Sequence, residues 1–386
     1  MGGLNIKGVP FFKPSIRDEE IEGVTEVLKS GWLTKGKVTE EFEKECMKFL
    51  SASACLAVSS GTAGLHLALL GLGLRPGDEV ITTSLTHVAT VQSILYVGAK
   101  PVFADIEPET MNISPDEVLK KVTPKTKAIL PVHFAGHPCD MDALREIAQK
   151  YGLSIVEDAA HAFGASYKGK PLGSNGFGDI TVFSFYPNKP ITTGEGGLIC
   201  GEKERIDKIR VLSHHGIVYP SRGRLWRYDA VELGYKYNFT DIQAAIGLAQ
   251  LRKSEKLLLR RKRIFERYNE AFKHEEALIT PVIKDYASPS YYIYPLRLNL
   301  RALKCSRDEF AFALEQEGVG ISVHYSPPVH LHSYYRRTLG LREGDLPVTE
   351  EASRSELSLP LYPDMRDEEI DFVVERVFKL IKSFKR

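Results

Sequence analysis

The chain has 386 residues, of which 43% are hydrophobic and 26% charged, a composition typical of a globular protein long enough for two domains. Its 51 basic and 50 acidic side chains nearly cancel, so no overall positive field attracts nucleic acid or an anionic membrane. The longest weakly polar run, residues 63–74, is too short to span a bilayer, and five widely spaced cysteines without a CxxC pair favour a reduced, cytoplasmic protein.

The first fifty residues predict two helices. The first spans residues 15–31, with Ser15 as its N-cap and Gly31 as its C-terminal stop. Its apolar face is formed by Ile21, Val24 and Leu28. The second helix covers residues 40–49 and precedes the first predicted strand.

Residues 55–212 alternate between short strands rich in Val and Ile and helices of about a dozen residues. The predicted strands are 55–60, 78–83, 100–105, 127–132, 153–158, 179–185 and 196–202. The predicted helices begin at residue 63 and then cover 88–96, 115–122, 141–151 and 205–212. This alternation predicts an α/β fold with a mostly parallel sheet between two layers of helices. Ligand sites in such sheets form at the carboxyl ends of the strands.

The last third of the chain has a different order of elements. A long helix over residues 240–272, capped by Thr240, is predicted to bridge to a smaller α+β unit. That unit contains a strand from Tyr291, a helix capped by Ser306, a strand near Ile321 and a final helix over 367–384. We therefore predict a large domain over residues 1–250 and a small C-terminal domain over 251–386.

Lys189 lies just beyond a predicted strand, in the segment FSFYPNKPITTGEGG. A lysine among aromatic and apolar neighbours is partly desolvated, which disfavours its ammonium form and frees a nucleophilic amine. Schiff-base chemistry with a carbonyl cofactor needs such an amine. Taken alone, however, a loop lysine is most often an ordinary surface residue.

Other strand ends supply groups that suit a phosphorylated pyridine cofactor. The segment SSGTAG at residues 59–64 opens a helix whose N-terminus suits phosphate, although a plain strand-to-helix turn is equally consistent. Asp158 ends a strand, where it either keeps a pyridine nitrogen protonated or caps a helix. His161 either orients the ring or is a structural histidine. Ser184 has a hydroxyl that suits the same phosphate, a weak signal alone.

Two further patterns point to other chemistry and are less convincing. Residues 164–171 nearly match a phosphate-binding loop, but Pro171 stands where a Mg²⁺-binding Ser or Thr is needed. His133, His137 and Cys139 lack a second ligand pair, so zinc is not expected.

Together, the segments resemble the DegT/StrS-type sugar aminotransferases, which are enzymes of fold type I that depend on pyridoxal phosphate. The resemblance covers nearly the whole chain and rests on segments in family order, among them SGWLTKG, AVSSGTAGLHLAL, VEDAAHAFGASYKG, FSFYPNKPITTGEGG and LSLPLYPDM. It implies that Lys189 forms the Schiff base and moves the proton, and that Asp158 pairs with the pyridine nitrogen. The phosphate ligands that it implies are Gly61, Thr62 and Ser184.

The resemblance also implies contacts with the cofactor ring and with a second subunit. His87 occupies a position that stacks on the ring, and His161 lies beside it. Asn238 reaches the phosphate of the other subunit, which implies a homodimer with shared sites. Many family members carry Asn and Arg where this chain has Lys236 and Asn238.

The function implied is transfer of an amino group from glutamate, which becomes 2-oxoglutarate, to a nucleotide-linked keto sugar. Segments such as EDAAHA and SLPLYPDM are most similar to UDP-4-amino-4-deoxy-L-arabinose aminotransferases, which favours a UDP-4-keto sugar such as UDP-4-keto-pentose in cell-surface polysaccharide or lipid A biosynthesis. Two alternatives stay open: a non-catalytic regulatory protein that binds pyridoxal phosphate, and a dehydratase acting on the same sugars. The presence of Lys189 favours transamination, because relatives with histidine there remove water or oxygen.

Overall fold

The computed structural model describes residues 8–219 and 226–386. Its helices are α1 (Asp18–Ser30), α2 (Lys37–Leu50), α3 (Gly61–Gly71), α4 (Val88–Tyr96), α5 (Pro115–Lys121), α6 (Met141–Tyr151), α7 (Lys203–Leu212), α8 (Asp241–Arg252), α9 (Ser254–Phe272), α10 (Arg307–Gln316), α11 (Ser333–Leu339), α12 (Pro347–Ser355) and α13 (Asp367–Phe384). Its strands are β1 (Ala54–Val58), β2 (Glu79–Thr83), β3 (Lys100–Ala104), β4 (Thr126–Leu130), β5 (Ser154–Asp158), β6 (Ser166–Tyr167), β7 (Lys170–Pro171), β8 (Ile180–Ser184), β9 (Gly197–Gly201), β10 (Ile217–Val218), β11 (Asp229–Ala230), β12 (Leu278–Ile279), β13 (Ala287–Ser288), β14 (Tyr294–Leu298) and β15 (Glu356–Leu359).

A seven-stranded sheet forms the centre of the molecule, in the order β1-β9-β8-β5-β4-β2-β3. The five strands from β8 to β3 are parallel, and β9 runs antiparallel to both β8 and β1. The predicted α/β fold with a mostly parallel sheet is therefore confirmed. All seven strands predicted from the alternation are present, each within a few residues of its expected bounds.

Both faces of this sheet are covered by helices, which explains why nearly all residues of strands such as β1, β2, β8 and β9 are buried rather than alternately buried and exposed. Successive side chains of a strand point to opposite faces. In β1, Cys55 and Ala57 belong to the core that includes Phe42 of α2, whereas Ala54, Leu56 and Val58 belong to the core that includes Leu65 of α3. The sheet thus holds the carboxyl ends of its parallel strands along one rigid edge.

The C-terminal part of the chain has a hydrophobic core of its own. The strands β12, β14 and β15 form a three-stranded antiparallel sheet, against which α10 and α13 pack. Helix α10 begins at the predicted cap, Ser306, whose hydroxyl accepts a hydrogen bond from the Glu309 amide. The Glu309 carboxylate in turn accepts one from the Ser306 amide, which completes a capping box. The fully buried members of this core include Tyr294, Phe310 and Leu357. This core is distinct from the two cores that pack on the central sheet.

The predicted apolar face of α1 is wrong. Ile21 and Leu28 are 59% and 54% exposed, while Glu20 is 2% exposed. The Glu20 carboxylate tolerates burial because Lys253 lies 2.6 Å away and Gln250 donates a hydrogen bond to it. Helix α1 therefore packs through Val27 and the paired Glu20, while Ile21 and Leu28 face outward.

Three smaller expectations also fail. Ser15 does not cap α1, because the helix begins three residues later. The predicted helix over 240–272 is two helices, α8 and α9, that meet at Lys253, where the backbone leaves the helical region (φ −106°, ψ 4°). No strand forms near Ile321, where isolated bridges join Val319 to Val9 and Ser322 to Ser358.

Candidate functional site

A cavity of about 410 Å³ lies at the carboxyl ends of β1, β5 and β8. Residues of the C-terminal part, including Tyr292, His324 and Tyr325, close one side of it. Seven of the eight residues predicted to form the site line this cavity: Gly61, Thr62, His87, Asp158, His161, Ser184 and Lys189. These residues are spread over more than a hundred positions of the sequence, so the sheet edge brings them together.

The N-terminus of α3 forms one end of the cavity. Ser60 caps the helix by accepting a hydrogen bond from the Ala63 amide at 3.1 Å. The amides of Gly61 and Thr62 precede the first intrahelical bonds and are suited to an anion. A Cβ atom at Gly61 would lie 3.0 Å from the Ser184 Cβ, so any larger residue would force Ser184 to shift. The result is a narrow cup of amides and a hydroxyl at a helix N-terminus.

Asp158 is buried and tightly positioned at the end of β5. Its Oδ2 accepts a hydrogen bond from the Thr90 hydroxyl at 2.7 Å, and its Oδ1 accepts one from the Ala160 amide at 3.1 Å. The residue is only 4% exposed. A carboxylate fixed in this way is suited to pair with a positively charged ring nitrogen, because it cannot turn away from the cavity.

Lys189 is half-buried, and its ammonium lies over the Tyr292 ring. The Nζ atom is 4.4 Å from the ring centroid and donates a hydrogen bond to the Tyr292 hydroxyl at 3.4 Å. Burial lowers the pKa of Lys189 to about 8, and the negative charge of Asp158 opposes that change. The amine is therefore much more easily deprotonated than an ordinary lysine.

His161 is buried between two tyrosines. Its ring lies 4.3 Å from the Tyr292 ring, centroid to centroid, and its Nε2 is 3.1 Å from the Tyr325 hydroxyl. Burial lowers the pKa of His161 well below its usual value, and the positive charge of Lys189 acts in the same direction. Its Nδ1 is buried and has no hydrogen-bond partner among the residues that the structure describes. A buried ring nitrogen without a protein partner is available for a hydrogen bond with a bound group or a water molecule.

The last two predicted residues differ in their placement. His87 caps α4, its Nδ1 accepting a hydrogen bond from the Ala89 amide at 3.2 Å, and its exposed ring lies at the cavity mouth. Asn238 is outside the cavity lining of its own chain. It forms an antiparallel bridge with Val58, and its side chain donates a hydrogen bond to the carbonyl of Phe239.

Sequence reasoning did not identify the residues that the C-terminal part contributes to the cavity. Tyr292 was expected within a strand, whereas His324 and Tyr325 fell near a strand that does not form. The available signals were the aromatic run YYIY at 291–294 and the adjacent pair HY at 324–325. Neither signal indicates a site without the fold, because both segments meet β5 and β8 only through tertiary packing.

A family model for the DegT/DnrJ/EryC1/StrS aminotransferases matches residues 14–378. The chain belongs to this family. It is 45% identical over 383 residues to the spore coat polysaccharide biosynthesis protein SpsC of Bacillus subtilis, with 97% of each chain covered. It is 46% identical over 382 residues to the uncharacterized protein MJ1066 of Methanocaldococcus jannaschii, covering 97% of this chain and 98% of that protein.

Solved structures of this aminotransferase family have the same fold. The putative sugar aminotransferase Spr1654 of Streptococcus pneumoniae, in its PMP form, is 33% identical, with a TM-score of 0.93 over 97% of this chain and 99% of that one. The PLP form of the same protein gives 34% identity, a TM-score of 0.92 and the same coverage. The protein is thus a member of a family of sugar aminotransferases that use pyridoxal phosphate.

The residues of the cavity fit pyridoxal phosphate. At Gly61 an added Cβ would lie 3.0 Å from the Ser184 Cβ, and the helix N-terminus there suits an anion. The buried Nδ1 of His161 lacks a partner among the described residues. Asp158 and Lys189 supply an acid for a ring nitrogen and an amine for a carbonyl. These features together fit the chemical groups of this cofactor: a phosphate, a ring nitrogen and a carbonyl.

The former zinc candidates have a structural role. His133 and Glu157 form a buried pair, with Nε2 2.9 Å from the carboxylate, and the Cys139 amide donates to His133 Nδ1 at 3.0 Å. Within the described ranges, no three His, Cys, Asp or Glu side chains group as a metal site. In those same ranges, no helix has the length and apolar character needed to cross a membrane.

Proposed function

We propose that this protein transfers the amino group of glutamate to a nucleotide-linked keto sugar, with a UDP-4-keto sugar as the favoured acceptor. The observation that carries this proposal is Lys189, a half-buried amine with a pKa lowered to about 8, placed over a cavity that fits pyridoxal phosphate. The likeness to SpsC, a spore coat polysaccharide biosynthesis protein, favours a role in cell-surface polysaccharide biosynthesis, with lipid A as a second destination.

Different residues of the chain have different roles in the proposed reaction. When bound, pyridoxal phosphate supplies a carbonyl carbon and an electron-accepting ring. The amides of Gly61 and Thr62 and the hydroxyl of Ser184 bind the phosphate. Asp158 holds the ring nitrogen in its charged form, because Thr90 and Ala160 prevent the carboxylate from rotating.

Lys189 acts as the base and acid of the reaction. With a pKa of about 8, roughly a tenth of the Nζ atoms are neutral at pH 7, so the amine accepts a proton from the substrate carbon and returns it later. The Tyr292 ring and hydroxyl hold Nζ in place, since both contacts favour one position of a long side chain. The buried His161 orients the cofactor ring, and His87 covers it from the mouth.

A homodimer in the cytoplasm is the proposed working unit. Exposed apolar side chains, including Leu233 (86%) and Trp32 (60%), are those that a second copy would cover. Asn238 lies outside the cavity of its own chain, as a residue that serves the partner's cavity would. The separate C-terminal core supports division into a large domain over 1–250 and a small one over 251–386.

Two variants test the proposal. Lys189→Ala and Lys189→Arg remove the neutral amine, so we expect both to lose turnover and the visible absorbance of the bound cofactor. Products from UDP-, GDP- and dTDP-linked keto sugars with glutamate would be identified by mass spectrometry. Unchanged turnover in Lys189→Ala would refute the assignment, and loss of water from the sugar without glutamate consumption would select the dehydratase alternative.

A further inference from the structure

A chain of hydrogen bonds runs from a buried carboxyl group to the cavity. Glu356 begins β15 and is fully buried. The hydroxyl of Ser358 is 2.5 Å from the Glu356 Oε1 and 2.8 Å from the Nδ1 of His324. The backbone amide of His324 donates to the other carboxyl oxygen, Oε2, at 2.7 Å. The His324 ring lines the cavity, so its second nitrogen, Nε2, is the one left for a bound group.

The Ser358 hydroxyl has only one proton to donate. The protonation of Glu356 and the tautomer of His324 therefore depend on each other. If Glu356 is ionised, Ser358 donates to the carboxylate and must accept from His324 Nδ1–H, so that Nε2 carries a lone pair. If Glu356 is neutral, its proton points to Ser358, which then donates to Nδ1, and Nε2 carries the hydrogen. The His324 amide keeps its bond to Oε2 in both states.

The geometry points to Glu356 as a positioning residue that, through Ser358, decides whether the Nε2 atom of His324 donates or accepts a hydrogen bond in the cavity. His324 is neutral in both states, since burial lowers its pKa to about 3. Burial raises the pKa of Glu356 to about 8, which puts the exchange within a range where the protein can be measured. Nε2 is then a donor below about pH 8 and an acceptor above it.

The charged and titratable groups near these hydrogen bonds do not change the role assigned to Glu356. Arg307 of α10 lowers the Glu356 pKa weakly, and its Nη1 donates to the main-chain carbonyl of Glu356 rather than to the carboxyl group. The titratable groups that face His324 are Lys189, His87, His161, Tyr292 and Tyr325. The positive charges of Lys189 and His87 disfavour a charged His324, which keeps it neutral.

The test reads the histidine tautomer directly. Protein with ¹⁵N-labelled imidazoles, without cofactor, would be titrated from pH 6 to pH 9.5 and its two-bond ¹H–¹⁵N spectra recorded, with His324→Asn identifying the signals. We expect the hydrogen of His324 to move from Nε2 to Nδ1 with a midpoint near 8. His133 is an internal reference, because its Nδ1 accepts a hydrogen bond from the Cys139 amide and so carries no hydrogen.

Three variants test whether Glu356 sets the His324 tautomer through Ser358 or has only a structural role. Glu356→Gln mimics the neutral acid, so His324 should keep the Nε2–H form across the titration. Ser358→Ala removes the relay and should abolish the exchange. Ser353→Ala is the matched control, since the Ser353 hydroxyl donates to the Tyr325 carbonyl nearby but is outside the chain of bonds, and the exchange should persist.

The NMR spectra decide the inference without any measurement of turnover. A His324 tautomer that does not change with pH in the unmodified protein overturns the inference, as does an exchange that survives Ser358→Ala. If Glu356→Gln does not fold, Ser358→Ala still decides. The consequence for catalysis rests on the proposed function: Glu356→Gln should remove one of two ionisations near pH 8 from the kcat/KM profile and leave that of Lys189. Absence of any turnover would count against the aminotransferase proposal, and the spectra of the cofactor-free protein would still decide the inference.

Discussion

The acidity of Lys189 gives the sharpest prediction of the structure. An ordinary lysine with a pKa of 10.5 is only about 0.3% neutral at pH 8, whereas Lys189, with a pKa of about 8, is about half neutral. The reactive fraction is therefore larger by roughly 150-fold. In the protein without cofactor, we expect Lys189 to react with an amine-modifying reagent with a midpoint near pH 8, measured by peptide mass spectrometry.

A variant and a reference lysine complete this experiment. Asp158→Asn removes the charge that raises the Lys189 pKa, so the midpoint should move below that of the unmodified protein. Lys120 is the reference, because its side chain is 66% exposed and its hydrogen bond with Glu117 raises its pKa. A midpoint near 10.5 for Lys189, or an upward shift in Asp158→Asn, would show that burial does not control this amine.

Three other predictions test the parts of the fold that support the site. Gly61→Ala should weaken binding of pyridoxal phosphate by about tenfold or more in fluorescence titrations, because its Cβ would lie 3.0 Å from the Ser184 Cβ; Gly23→Ala, whose Cβ would meet nothing closer than 3.5 Å, should bind normally. Asp241→Ala should lower the free energy of unfolding in urea by about 2 kcal/mol, since this carboxylate accepts four hydrogen bonds at the start of α2; an unchanged midpoint would contradict that role. Phe42→Ala should cost about 3–5 kcal/mol in the same assay, because its ring is fully buried, and a loss below 1 kcal/mol would contradict the packing.

Local signals in the sequence were sufficient where a helix or strand carried its own boundaries. The helices α4, α6 and α13 have the predicted bounds, because caps, a terminal glycine and a clear apolar period specify them. The strand ends at Asp158 and Ser184 were also predictable, since parallel strands place their carboxyl ends along one edge.

The remaining features depend on contacts that no local pattern contains. The apolar face of α1 failed because burial is decided by the ion pair of Glu20 with Lys253, more than two hundred positions away. Tyr292 and His324 were missed for the same reason, since they reach the cavity from the C-terminal part of the chain. Periodicity indicates which face of a segment is apolar. The positions of these residues depend on contacts with distant segments of the chain.

The position of β9 has a consequence for the order in which a nascent chain can complete its structure. Strand β1 emerges from the ribosome first among the strands, yet its neighbour in the sheet is β9, about 140 residues later. Until Gly197 has been synthesised, the edge of β1 remains unpaired, and α3 has no completed surface against which to present its amides. We therefore expect affinity for the phosphate group to arise late in translation, after β9 has paired with β1. Cofactor binding to the nascent chain would then report that this pairing is complete.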